Sequence, residues 1–106
     1  MTQIGVNEPL SVKISQAASG ALIAGVADKR IAVYGYVVVT TLGCSVTFED
    51  SDGVDYAGPL PLAANGGVVA PTGLRPWFRL PVGKGLSMVL SLASATGGHV
   101  MYELES

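Results

Sequence analysis

The sequence predicts an all-β protein, a jelly-roll-like antiparallel β-sandwich in a single domain. Three observations carry that prediction. The longest apolar run, Arg30 to Thr41 (RIAVYGYVVVTT), consists largely of β-branched and aromatic residues, which fit a pleated surface better than a helix. Shorter segments around it alternate apolar and polar residues, the period of a half-buried strand. Turn signals recur about every eight to twelve residues, the spacing of sandwiches and jelly rolls.

Residues 1–10 are polar and close on Asn7-Glu8-Pro9. The residue before a proline is biased towards extended backbone, so this stretch reads as an N-terminal arm ahead of a domain spanning 11–106. It is either a disordered terminus or an arm lying on a neighbouring subunit, with Ile4 and Leu10 as interface residues. From Ser11 to Ser15 the pattern alternates, with Val12 and Ile14 on one face. The following SQAASGALIAGVADKR is interrupted by Gly20 and Gly25, and its apolar residues form no stripe at helical spacing. It reads as a turn at Ser19-Gly20, a short strand near Leu22–Ala24 and a turn at Asp28-Lys29.

The central run is apolar on both alternating faces, Ile31/Val33/Val37/Val39 and Ala32/Tyr34/Tyr36/Val38. Such a strand is covered on both sides, by a second sheet or by another subunit. Gly35 leaves a gap that implies a bulge or the close approach of a neighbour. After a turn at Leu42-Gly43, Cys44 to Asp50 alternates with Cys44, Val46 and Phe48 inward. Asp52-Gly53 is a strong hairpin signal, and Val54 to Ala57 begins the return strand. Pro59 and Pro61 cannot donate to a ladder, so GPLPLAANGG is an edge or a loop, closed by a tight turn at Asn65-Gly66-Gly67. Val68–Ala70 and Trp77–Leu80 are short strands flanking the PTGLRP loop, and Gly83-Lys84-Gly85 turns the chain. Leu86 to Ser94 reads as one long alternating strand, Gly97-Gly98 as the last hairpin, and Val100, Tyr102 and Leu104 complete the sheet.

Composition narrows the function classes. Charged residues make up 13% of the chain and hydrophobic residues 49%, against about 25% charged in an ordinary soluble domain. So few charges leave part of the surface to be covered permanently, by membrane or by protein. The apolar strand is about half as long as a spanning helix. MTQIGVNEPL lacks the basic start and apolar core of a signal peptide. The segments are mostly shorter than the roughly ten-residue strands of a membrane barrel. Protein cover is the remaining explanation, and a homo-oligomer is its commonest form. The six basic residues are scattered and the net charge is −2, so no stripe exists for a nucleic-acid backbone to follow. The single cysteine, Cys44, excludes an intrachain disulfide and fits a reducing cytoplasm.

No chemistry-bearing motif completes itself. Asp50-Ser51-Asp52-Gly53-Val54-Asp55 resembles the opening of a calcium loop. Counted from Asp50, however, Val54 and Pro61 stand where oxygen ligands are required, leaving a solvated hairpin turn. Gly83-Lys84-Gly85 lacks the earlier glycine and the following hydroxyl of a P-loop. His99 has no nucleophile and acid to work with, and Cys44 plus His99 falls two ligands short of a zinc site. The expectation is therefore no catalysis, no metal and no cofactor. Trp77-Phe78, flanked by Arg75 and Arg79, is the one place where large aromatics adjoin a loop. The pair either closes the core or anchors an interface, where tryptophan and arginine concentrate.

Read as a whole, residues 11–104 resemble the small virion proteins that decorate or cement the heads of tailed bacteriophages. The resemblance rests on Lys29-Arg30-Ile31 leading into VYGYVVV, then CSVTFEDSDG, GPLPLAANGGVV, a Trp-Phe strand, Gly83-Lys84-Gly85-Leu86 and a closing GGHVMYEL. It implies a jelly-roll or related sandwich that associates as a homo-oligomer, expected to be a trimer. It also implies that the protein sits on the capsid surface, clamping neighbouring major capsid subunits of a virion assembled in the host cytoplasm. The other reading from the same residues is a tail, baseplate or host-attachment module that binds bacterial surface carbohydrate through Trp77, Tyr34 or Tyr56.

Overall fold

The computed structural model describes residues 10–106. They form nine strands and contain no helix long and apolar enough to cross a membrane. The strands are β1 (Leu10–Gln16), β2 (Gly20–Ile23), β3 (Arg30–Thr40), β4 (Cys44–Asp50), β5 (Asp55–Leu62), β6 (Gly67–Ala70), β7 (Phe78–Arg79), β8 (Leu86–Leu90) and β9 (Thr96–Glu105). They build two antiparallel sheets that enclose one core, as the alternating segments predict. One sheet runs β1-β9-β3-β6, with β7 also paired to β3, and the other runs β2-β8-β4-β5.

The pairing follows a long ribbon folded back on itself. β1 lies against β9, β2 against β8 and β3 against β6, while β4 and β5 form the hairpin at its tip. Turns after β1, β3, β5 and β8 gather at one end. There the Thr41 amide donates to the Ala95 carbonyl and the Asn65 amide to the Thr41 carbonyl. Serine hydroxyls complete this end: Ser94 Oγ accepts from the Leu42 amide, and Ser19 Oγ accepts from the Leu90 amide at 2.7 Å. At the opposite end the Gly83 amide donates to the Lys29 carbonyl, and the Gly85 amide donates to Ser51 Oγ.

The core is the meeting of the two inner faces. Ile14, Ile31, Val33, Tyr36, Val38 and Val100 come from the first sheet, and Val46, Phe48, Leu86 and Met88 from the second. Each such side chain contributes about 1.5–3 kcal/mol when fully buried. Phe48 sits at the seam, its ring 4.8 Å from that of Tyr36 and 6.4 Å from that of Phe78, both on the opposite sheet.

The central strand departs from simple alternation. Its register against β9 shifts between Val33 and Gly35, so the core-facing set is Ile31 and Val33 before the shift and Tyr36, Val38 and Thr40 after it. The two faces are thus Ile31/Val33/Tyr36/Val38 and Ala32/Tyr34/Val37/Val39, not the two sets unbroken alternation predicts. Gly35 is where both expected features occur. It sits at the bulge, and a Cβ there would lie 2.8 Å from the Ala70 carbonyl oxygen and 2.9 Å from Met101 Cε.

Two further expectations are corrected. Gly97-Gly98 is no hairpin but part of β9, where Gly98 pairs with both Ile14 and Val38. A side chain at Gly98, which has positive φ, would collide with the Val37 backbone, so glycine serves close strand approach here. Correspondingly β8 stops at Leu90 rather than Ser94, and Leu92 is exposed. Pro59 and Pro61 do lie on an edge strand, β5.

Candidate functional site

Strand alternation divides the Trp77-Phe78 pair. Phe78 turns inward against the core and stacks on Tyr56, with ring centroids 5.8 Å apart. Trp77 turns outward and is 56% exposed. Its amide donates to the Val33 carbonyl at 2.8 Å and its indole N–H to the Pro71 carbonyl at 3.0 Å. The second bond closes the loop 71–77, which leaves the edge of β3 between β6 and β7. With its polar atom satisfied, the ring presents only apolar surface to the outside. Arg75 is exposed on that loop. Arg79 Nε donates to Glu105 Oε1 at 2.9 Å, and this bond raises the guanidinium pKa further. Leu10 is the first residue of β1, opposite Tyr102, whereas Ile4 and the arm up to Pro9 lie outside the described residues.

The outer face of the first sheet gathers apolar residues that motif reading passes over. Cross-strand register places Lys13, His99, Val37 and Val69 in one row and Ser15, Gly97, Val39 and Gly67 in the next. Val69 is 64% exposed and Val39 47%. Leu74, at the crown of the 71–77 loop, is fully exposed. Valines flanked by glycines, a leucine and a tryptophan thus share one side of the molecule. The signal for it was present in the two-sided apolarity of β3: the second sheet covers one face and leaves the other open.

Between that loop and the sheet lies a cleft of about 320 Å³, lined by Tyr34, Thr72, Leu74, Met101 and Glu103 among others. Two of its lining residues pack on Gly35, where a Cβ would lie 2.8 Å from Thr72 Oγ1 and 2.9 Å from Met101 Cε. Burial raises the Tyr34 hydroxyl pKa above its ordinary value, and the carboxylates of Glu103 and Glu105 push it further against the opposing Arg79.

The outer face of the second sheet differs. Ser45, Thr47, Glu49, Ser87 and Val89 point away from the core. Glu49 stands opposite Asp55, and a hydrogen bond shared between the two carboxyls is the main cause of its raised pKa.

The Asp50 hairpin is the expected solvated turn over 51–54, except that Asp50 at its base is buried. The Asp50 side chain is buried, and Oδ1 accepts from the Asp52 and Val54 amides at 2.8 and 3.1 Å. Oδ2 accepts from the Tyr56 hydroxyl at 3.1 Å. Burial alone would raise this carboxyl's pKa. The donors and the nearby Lys84 outweigh it, so the net shift is downward. The carboxylate braces the β4–β5 turn, and Gly53 rather than a central turn residue takes the positive φ. Tyr56 is therefore committed to this brace and to Phe78, which removes it from the exposed aromatics. Cys44 faces the core of the second sheet, whereas His99 is exposed on the outer face of the first. The pair cannot meet. Among the described residues no three His, Cys, Asp or Glu side chains gather as a metal-ligand set.

No protein-family model, no curated protein and no solved structure matches the chain.

Proposed function

We propose that the protein is a virion structural component of a tailed bacteriophage that decorates the capsid and cements neighbouring major capsid subunits. The observation that carries the reading is the uncovered apolar side of the first sheet, with Val39, Val69, Leu74 and Trp77 standing in solvent on a chain where charge is scarce. Exposed patches of this kind mark interaction sites, and tryptophan is enriched among the residues that anchor interfaces. The ribbon pairing of β1/β9, β2/β8, β3/β6 and β4/β5 is the one a jelly roll makes. We read the fold as that architecture, in keeping with the resemblance to head-decoration proteins.

The mechanism is mass action. A contact of about 800 Å² per partner, repeated over a symmetric shell, gains strength through multivalency. A protein that binds the assembled shell and not free subunits stabilises the shell by that difference. The chain itself would act as a homo-oligomer, taken as a trimer, presenting several copies of the surface at once.

The deciding experiment is localisation by gold-labelled antibody in intact particles, paired with heat release of genome from particles lacking the protein. Label on the head and release at lower temperature support the reading. Label on the tail, or unchanged release, sinks it. The host-attachment reading keeps Trp77 and Tyr34 but loses Tyr56.

A further inference from the structure

We infer that the cleft beneath the 71–77 loop is a receptor for an arginine side chain of a partner protein, with Glu103 as its carboxylate and Tyr34 as its stacking wall. The residues present determine the chemistry. β9 places two carboxylates, Glu103 and Glu105, on one face, two positions apart. Arg79 is bonded to Glu105, and the other ion pair among the described residues joins Lys84 to Asp52. Glu103 therefore has no cation within ion-pair distance among the described residues, although it stands at the wall of a cleft. Its cross-strand neighbour Ala32 supplies no polar group, and Arg79, on the far side of Ala32 in the same row, is bonded to Glu105.

The remaining walls suit the rest of an arginine. Leu74 and Met101 offer apolar surface for the aliphatic stem, which long cationic side chains bury while their heads stay polar. A guanidinium plane stacks on an aromatic ring and meets a carboxylate with paired N–H donors. Glu103 at the cleft wall supplies the opposite charge a guanidinium needs. A sugar fits less well. Its hydroxyls need both donors and acceptors, and the donors among these five residues are the hydroxyls of Tyr34 and Thr72. The inference stands apart from the capsid reading, because the cleft and its unpaired carboxylate are the same whatever the partner is.

The test is an NMR titration of the full chain with N-acetyl-L-arginine amide. N-acetyl-norleucine amide serves as the uncharged control and a methyl glucoside as the sugar control. The expected result is saturable shifts at Tyr34, Thr72, Met101 and Glu103 with the arginine amide alone, at millimolar concentration and weakened by salt. Glu103→Gln, a surface change that leaves the remaining spectrum in place, should weaken this binding about fivefold. Absence of shifts at the cleft, equal shifts with norleucine amide, unchanged affinity in Glu103→Gln, or saturation by the glucoside instead would each overturn the inference.

Discussion

The two outer faces of the sandwich meet water in different ways. On the four-stranded sheet, Ser45, Thr47, Glu49 and Ser87 turn polar groups outward. On the five-stranded sheet, Val37, Val39 and Val69 turn methyl groups outward, beside the exposed Leu74 and Trp77. Folding alone requires one apolar face per sheet. Val39, Val69, Leu74 and Trp77 gain nothing from the fold of one chain by standing in solvent, and the proposed contact rests on them.

If that contrast holds, inner and outer apolar residues should separate in their effects. Phe48→Ala removes the ring that touches both sheets and should cost about 3–5 kcal/mol of folding stability, read by chemical denaturation. Next in size, Trp77→Ala combined with Val69→Asp should weaken binding to the partner surface about thirtyfold. The same variant should stay within about 0.5 kcal/mol of the parent in stability. Equal losses of stability and binding would erase the distinction between the faces.

Asp50→Ala should be the next most damaging change, since it strands the Asp52 and Val54 amides and the Tyr56 hydroxyl. Because the folded-state pKa of Asp50 is depressed, the stability it supplies is present above the unfolded-state value. That stability is lost as pH falls through the lower folded value. A pH series of denaturation midpoints should show acid loss in the parent and a flatter profile in the variant. Thr40→Val probes the inner face from the other direction. Thr40 Oγ1 is buried without a hydrogen-bond partner, and replacing it with an isosteric methyl should add about 1 kcal/mol.

The smallest effect belongs to the polar face. Glu49 has a raised pKa through its contact with Asp55. Its contribution is therefore favourable below the unfolded-state carboxyl range and is lost as pH rises through the folded value. Glu49→Gln should give a small rise in melting temperature at neutral pH that disappears in acid. A rise that persists at all pH values would assign the effect to something other than carboxyl repulsion.

Much of this fold was legible in the residues. Alternation placed Cys44, Val46 and Phe48 inward, and the prolines of β5 marked an edge. Gly35 signalled a bulge or a close approach, and the structure has both there. The failures have a common cause. Gly97-Gly98 has the composition of a turn, yet Gly98 is required because the Val37 backbone leaves no room for a side chain there. The turn at 51–54 is solvated as read, whereas Asp50 at its base is buried and accepts from the Asp52 and Val54 amides and from Tyr56 on the partner strand. Alternation along Trp77–Leu80 separates Trp77 from Phe78, but which of the two turns inward was set by the pairing of Phe78 with Val33. The candidate surface was half legible: the two-sided apolarity of β3 announced a covered face but not the residues beside it.

By itself the sequence determined the strand-rich architecture, the scarcity of charge and the central strand with two apolar faces, because these depend on side-chain type and period. Only the tertiary structure decided which of those faces stays open and that Tyr34, Leu74, Met101 and Glu103 share a cleft. The reason is physical: residues forty or more positions apart become neighbours through cross-strand register, and a one-residue bulge at Gly35 resets that register for half of β3.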